Sequence, residues 1–377
     1  MSKQSKTKQK NEKIKRKYLN WMTNAQGFSP KSITTIEKAL WKYEEFTDDS
    51  DYASFSVKQA EGFKRFLANS INKRSKKSLG STSQYHHLRH VKNFFIWLSG
   101  QAGYKSRVSP SDVMYLQLSK KDRRLATATK AQKYPTLQQI QALCGFEIKN
   151  EIDMRDRALI AFTALTGMRD RAVVTLPLGC FDPDKLVVDQ NPNRGVETKF
   201  SKTISTTLFA VDKSLIKYVT DWYQFLINEK KFGIDDPLFP ATEIGHISAN
   251  HHAFESKGMS KSFWADAGPM RKIFQARSQE TGITYFSPHK FRHFIINEAQ
   301  KHISSVEQLK AVSQNLGHEH LATTFYSYGN MPDQTVNKLV SNIDFSSSSA
   351  IKAQDEETSR MMSMFADFLK QRGKNEL

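Results

Sequence analysis

Leu316-Gly317-His318-Glu319-His320-Leu321-Ala322-Thr323-Thr324-Phe325-Tyr326-Ser327-Tyr328-Gly329 is the stretch on which the reading of this chain turns. A Gly-His step, a Thr-Thr pair and two tyrosines follow one another in a short span. An imidazole can hydrogen-bond a phosphate oxygen, and a phenol can attack phosphorus if nearby cations stabilise its anion. Three earlier segments carry residues suited to the same target. In Thr166-Gly167-Met168-Arg169-Asp170-Arg171 an apolar helix ends at a glycine and then presents an arginine, whose guanidinium grips two phosphate oxygens and keeps its charge at neutral pH. Thr198-Lys199-Phe200-Ser201-Lys202 is a polar turn between two strand-like stretches, Leu186 to Asp189 and Ile204 to Val211, where a lysine can protonate a leaving alkoxide. Ser287-Pro288-His289-Lys290-Phe291-Arg292-His293 opens a helix at Pro288, and His289 and Arg292, three apart, share one face. Taken singly, each segment is as compatible with an ordinary surface turn or helix cap.

The surrounding 377 residues, 43.2 kDa, suit two domains. Hydrophobic residues at 38%, with 25 Phe, 12 Tyr and 5 Trp, supply material for packed cores and exclude global disorder. No apolar run approaches the roughly 18 residues of a membrane span, and the basic start, Lys3 to Lys17, leads into no signal-type apolar segment. No membrane partner is expected. Cys144 and Cys180 are the two cysteines, too few for a disulfide framework or a Cys-rich zinc module, and they fit a reducing setting.

Charge is distributed unevenly. The net charge is +18, and residues 1–133 hold 28 Lys and Arg against 10 Asp and Glu, whereas residues 134–377 hold 28 of each. The whole excess lies in the first third, which points to a polyanion-binding module joined to an electrically balanced one, with nucleic acid the favoured polyanion. That first third reads as four helices. Their apolar stripes are Ile14-Tyr18-Trp21-Met22, then Ile33-Ile36-Leu40-Tyr43 after the Ser29-Pro30 cap, then Val57-Phe63-Leu67-Ile71 after Ser56 with Gln59, then Tyr85-Leu88-Val91-Phe95 after Thr82 or Ser83. Lys73, Arg74, Lys76 and Lys77 before the fourth helix, with Gln84, His87, Arg89 and Lys92 off its apolar stripe, are the candidate phosphate-backbone contacts. The basic stretch 105–133 reads as a linker, with the domain boundary near 130. Beyond it come an amphipathic helix (Ile140, Leu143), an apolar helix from Asp156 to Leu165, short strands up to Val211, and mostly helices thereafter. A serine run, Ser346 to Ser349, precedes a last helix with a Met361-Met364-Phe365-Phe368 stripe that needs a partner surface.

Four motifs in this order and spacing resemble the tyrosine recombinase, or phage integrase, family. The resemblance implies a fold that is mainly α with a small β-sheet. Residues 12–104 resemble the family's helical core-binding domain, after a basic arm 1–11 expected to be disordered without DNA. Residues 134–345 resemble its α+β catalytic domain, with 346–377 a tail helix of the kind exchanged between protomers. By the same resemblance Arg169 and Arg292, with His318, hold the scissile phosphate, His289 fills the His-x-x-Arg motif with Arg292, Lys199 is the general acid and Tyr328 the nucleophile, with Tyr326 its alternative. No cofactor or metal is implied. The implied partners are double-stranded DNA with paired half-sites, a homo-tetramer on that DNA, and accessory DNA-bending or directionality proteins, in a cytoplasmic, nucleoid-associated setting. Two departures stand out. Ala172 occupies a position three after the first arginine where the family usually carries Glu or Asp, and Ser327 stands nine residues after the histidine, with Tyr326 at eight and Tyr328 at ten.

The chemistry implied is cleavage through a 3′-phosphotyrosine and resealing by a 5′-hydroxyl, for integration or excision of a mobile element. Two readings compete with it. A non-cutting DNA-binding regulator of the same fold is favoured by Ala172 and opposed by the six-residue set. A type IB topoisomerase shares the chemistry but needs neither two sites nor a tetramer. A metal-dependent nuclease would need clustered carboxylates, and Asp170 and Glu319 are too few. His246, His251 and His252, without cysteines or an HExxH pattern, read as polar loop residues.

Overall fold

The computed structural model describes residues 3–71, 76–128, 133–248, 251–303 and 305–318. The chain divides into two compact units, residues 1–128 and 129–377, each with its own apolar core. Among the described residues no helix is long and apolar enough to cross a membrane.

The first unit is built from α1 (Lys3–Asn24), α2 (Pro30–Thr47), α3 (Val57–Asn69), α4 (Ser81–Ser99), the single turn α5 (Pro110–Val113) and α6 (Lys120–Thr127). Local signals set the starts. Ser29 caps α2 with Pro30 in its first turn, and Ser56 accepts the Gln59 N–H at the start of α3. The apolar stripes then meet in an aromatic core: Tyr43 lies edge-on to Phe63 and Phe95 at 5.1 Å, and Tyr52 to Phe94 at 4.9 Å. Ile71 falls beyond the end of α3 and is exposed.

Two expectations for this unit are corrected. The N-terminal arm is helical from Lys3, because its cations meet the acidic loop after α2. Lys8 pairs with Asp49 at 2.9 Å and Lys10 with Asp51 at 2.7 Å, while Asn11 donates to the carbonyls of Asp49 and Ser50 and accepts from the Tyr52 N–H. Nor is the stretch after 104 a bare linker. Val108, Val113 and Leu116 are buried in the core, and Thr82 Oγ1 donates to the Ala126 carbonyl. Partners some 40 residues away in sequence supply the order that the local charge pattern conceals.

The second unit contains α7 (Leu137–Leu143), α8 (Glu151–Thr166), the short α9 (Asp170–Val174), β1 (Phe181–Asp182), β2 (Val187–Gln190), β3 (Ile204–Thr207), α10 (Lys213–Asn228), β4 (Thr242–Ser248), β5 (His251–Met259), α11 (Gly268–Glu280), α12 (Pro288–Gln300) and α13 (Val306–Asn315). Thr136 and Gln139 form a capping box at the start of α7. Helix α8 is central, with twelve of its sixteen residues buried, and packs on α7, α10 and α12. Strands β1, β2 and β3 form an antiparallel sheet in that order, with Val188 opposite Thr206 and Gln190 opposite Ile204. The antiparallel pair β4–β5 covers residues read above as a polar loop, since they lack the strict alternation that marks a half-buried strand. The side chains of His246, His251 and His252 lie outside the described residues.

An ionic network fastens α8 to its neighbours. Buried Arg155 donates to Asp156, to the Pro240 carbonyl and to Thr242, and Arg277 of α11 pairs with Asp153 and with Asp156. Burial alone would push the Asp153 carboxyl up, but the Lys149 N–H and the Arg277 guanidinium outweigh it and hold the group below its ordinary value. Such a carboxylate contributes stability that is present above its unfolded pKa and lost as pH falls through its lower folded value. Arg277→Met is therefore expected to cost about 3 kcal/mol in urea unfolding at pH 7. The gap from wild type should narrow below about pH 4, where the carboxyls protonate.

Candidate active site

Three chain turns of the second unit converge. At the first, α8 ends at Gly167, whose φ of +57° is left-handed and whose N–H donates to the Thr163 carbonyl. A Cβ there would lie 2.7 Å from Ile295 Cγ2 and 3.5 Å from Arg292 Cα, so glycine is required by both conformation and space. Thr166 Oγ1 accepts the Met168 N–H, and the chain runs extended through half-buried Arg169 into α9. At the second, Pro288 starts α12 and places His289 and Arg292 on one face. At the third, α13 ends with the Gly317 N–H donating to the Gln314 carbonyl and the His318 N–H to the Ser313 carbonyl, a Schellman closure with Gly317 at φ +65°.

Arg292 fastens these turns together. It is 4% exposed; Nη1 donates to the Gly167 carbonyl at 2.9 Å and Nη2 to the Leu316 carbonyl at 2.6 Å. Two of its five N–H groups are engaged on these backbone carbonyls. Burial, then the neighbouring Arg169, lower the Arg292 pKa to about 9, so the group is still charged at neutral pH. Burial lowers that of Arg169 as well. The imidazoles respond more strongly. Burial, aided by His293, Arg292, Lys290 and Arg169, brings His289 down to about 4; burial, with Arg292 and Arg169, brings His318 to about 3. At neutral pH the cluster thus holds two guanidinium charges and two neutral rings able to donate or accept a hydrogen bond. Among the described residues no carboxylate pairs with either arginine, and half-buried like charges of this kind are relieved by an anion.

Of the residues singled out from the sequence, Arg169, His289, Arg292 and His318 are brought together. Lys199 stands on the adjoining loop between β2 and β3. That loop is closed by Thr198 Oγ1 donating to the Lys202 carbonyl at 2.6 Å, and Phe200 at its tip is left-handed (φ +62°) and 66% exposed. Lys199 is exposed, with Nζ 4.7 Å from the Phe200 ring centroid. A groove of about 570 Å³ beside His318 is lined by Lys202, Ile204, Ser205, Gln314 and Gly317, with Lys202 rather than Lys199 at its wall. Tyr326, Tyr328, Glu319, His320 and the tail stripe from Met361 to Phe368 lie outside the described residues.

Ala172 is buried, and Asp170 pairs with Arg271 of α11. Missed in the sequence is the Arg171–Glu197 pair, which joins the Arg169 turn to the Lys199 loop. Neither residue breaks its local pattern, and 26 positions separate them. In the first unit, Lys76, Lys77 and Arg89 are exposed, and Lys73 and Arg74 lie outside the described residues. Gln84 donates to the Leu79 carbonyl, and Lys92 to Gln117 Oε1 at 3.3 Å. His87 is half-buried; burial and then Lys42 and His86 lower its pKa, and its Nδ1 makes no hydrogen bond.

The two site imidazoles set a pH signature. With folded values below the ordinary 6.5, the unfolded chain binds more protons in that range, so stability falls as pH drops from about 6.5 to about 4. Ring-proton NMR should show midpoints near 4 for His289 and near 3 for His318. Replacing both by Gln should flatten the acid side of the stability curve.

A model of the phage integrase family matches residues 133–334. No curated protein matches the chain. Among solved structures, a lambda integrase dimer bound to a COC′ core site is similar at 11% identity and TM-score 0.56, over 84% of this chain and 76% of that one. The XerH site-specific recombinase bound to difH substrate is similar at 15% identity and TM-score 0.55, over 87% and 83%. The Tn1549 transposon integrase with circular-intermediate DNA is similar at 14% identity and TM-score 0.53, over 88% and 99%. Identities this low speak for the fold alone. With the family match spanning more than half of the sequence and the motif residues gathered at one set of turns, the chain belongs to the phage integrase family of tyrosine recombinases.

Proposed function

We propose that this protein is a site-specific DNA recombinase that cuts and rejoins duplex DNA through a 3′-phosphotyrosine. The observation that carries the reading is the paired guanidinium cluster, Arg169 with Arg292, flanked by two imidazoles that are neutral at working pH. A phosphodiester supplies the single negative charge this cluster lacks, and its charge grows as phosphorus becomes pentavalent. Tyr328 Oη bonds to phosphorus as the P–O5′ bond breaks; the phenol proton passes to a neutral imidazole or to water, and Lys199 protonates O5′. The bond energy stays in the phosphotyrosine, so a 5′-hydroxyl from a partner duplex reseals the strand by the reverse step.

Lys73, Arg74, Lys76, Lys77, Gln84, His87, Arg89 and Lys92, in the strongly basic first third of the sequence, are assigned to the DNA backbone. Paired half-sites call for a homo-tetramer on DNA, with accessory bending or directionality proteins as further partners. A mobile element's integration or excision in the cytoplasm, at the nucleoid, is the setting this reading gives. XerH bound to difH substrate and lambda integrase bound to a COC′ core site support DNA as the substrate class here.

Covalent trapping on nicked duplexes from the ends of the encoding element, without metal, tests the reading. Wild type and Tyr326→Phe are expected to form a gel-stable protein–DNA adduct, and Tyr328→Phe none. Arg169→Ala should slow adduct formation at least about 100-fold. Specific binding without any adduct would favour a non-cutting regulator.

A further inference from the structure

Resting on that reading, we propose that Arg171 and Glu197 are positioning residues that set where Lys199 delivers its proton. The loop holding Lys199 lacks the features that usually fix a catalytic group. It lies between the ends of β2 and β3, its lysine is exposed, and its tip holds an exposed Phe200 in a left-handed conformation that costs a non-glycine residue energy. Buried Val196 and the Thr198–Lys202 hydrogen bond hold the loop's backbone, and the anchor at its base ties it to the Arg169 turn. Glu197, two residues before Lys199, takes Nε of Arg171 at 2.5 Å on one carboxylate oxygen and Nη2 on the other, while Arg171 Nη1 donates to the Ala265 carbonyl at 2.6 Å. The Glu197 N–H donates to Thr175 Oγ1 at 2.9 Å, and that hydroxyl donates to the Arg171 carbonyl at 2.9 Å. Arg171 in turn lies two residues after Arg169.

The pair thus closes a short mechanical path from the phosphate-gripping guanidinium, through one residue on each side, to the general acid. A two-pronged guanidinium–carboxylate contact fixes orientation as well as distance. The side chains are 37% and 53% exposed, so the contact contributes little to global stability and its effect is local geometry. It also answers the Ala172 departure. With alanine buried at that position, the carboxylate that ties the first arginine's turn to the rest of the site comes from the opposite side, on Glu197.

The experiment compares a normal scissile phosphate with one whose bridging 5′-oxygen is replaced by sulfur. A thiolate leaves without a proton, because its pKa lies near 8.5. Sulfur therefore relieves a defect in acid delivery but not one in phosphate binding. On the oxygen substrate, Glu197→Gln and Arg171→Lys are expected to slow adduct formation by about 10- to 100-fold, within the range a general acid supplies. On the sulfur substrate both should stay within about threefold of wild type, as should Lys199→Ala. Thermal midpoints should not move. The charge swap Arg171→Glu with Glu197→Arg should recover part of the oxygen-substrate rate. Equal slowing on both substrates, or none on either, by a protein whose wild type cuts would overturn this inference alone. If wild type forms no adduct on either substrate, the recombinase reading falls and takes the inference with it.

Discussion

The buried guanidinium of Arg292 is the constraint on which the second unit's chemistry depends. One planar group hydrogen-bonds the carbonyl that ends α8 and the carbonyl that ends α13, and so holds the Arg169 turn and the His318 turn at fixed separation. Burying a charge is expensive unless its hydrogen bonds are met, and here two backbone carbonyls accept from the guanidinium without cancelling its charge. A carboxylate would have satisfied the same donors and neutralised the site. The two glycines follow from this geometry. Gly167 must let Arg292 and Ile295 approach the turn, and Gly317 must turn left-handed while packed on Ile204 of β3. Structure and chemistry share one side chain, so Arg292 cannot be changed to probe catalysis without also loosening the turns.

The rest of the unit shows how unusual that arrangement is. The unit is balanced, with as many acidic as basic residues from 134 onward, and several of its other cations have acidic partners: Arg155 with Asp156, Arg277 with Asp153, Lys230 with Glu151, Arg271 with Asp170. Burial, aided by Arg169 and Arg292, lowers each neighbouring imidazole's affinity for a proton. A neutral His318 or His289 adds no repulsion of its own. Positive charge is thereby confined to the two groups that cannot lose it at neutral pH, which is the arrangement a phosphodiester monoanion needs.

Much of this was legible in the sequence because it was local. Ser29-Pro30, Thr136 with Gln139, and the Gly-to-Arg and Gly-to-His steps signal helix ends through chemistry confined to a few residues, and the apolar stripes of the first unit carry helical spacing on their face. Arg169, His289, Arg292 and His318 were found the same way. What was hidden was long-range pairing. The arm's order depends on Lys8 and Lys10 meeting Asp49 and Asp51, and the site's outer tie on Arg171 meeting Glu197; in each case both partners are ordinary charged residues that no spacing rule connects. The β4–β5 pair was missed because its residues lack the alternation of apolar and polar side chains that marks a strand in sequence.

The lysine assignment illustrates why long-range pairing matters for function. Thr198 and Lys202 close the loop on themselves, so Lys199 and Lys202 stand at its two ends, and Lys202 already lines the groove beside His318. Motif spacing selects Lys199, and proximity in the static structure selects Lys202. The two are reconciled by what each end is attached to. The Lys202 end continues directly into β3, whose register against β2 is fixed by the sheet; the Lys199 end hangs on the Arg171–Glu197 contact, which reports the position of the Arg169 turn. A group that must meet a phosphate held by Arg169 is better placed on the end that moves with Arg169 than on the end that moves with the sheet.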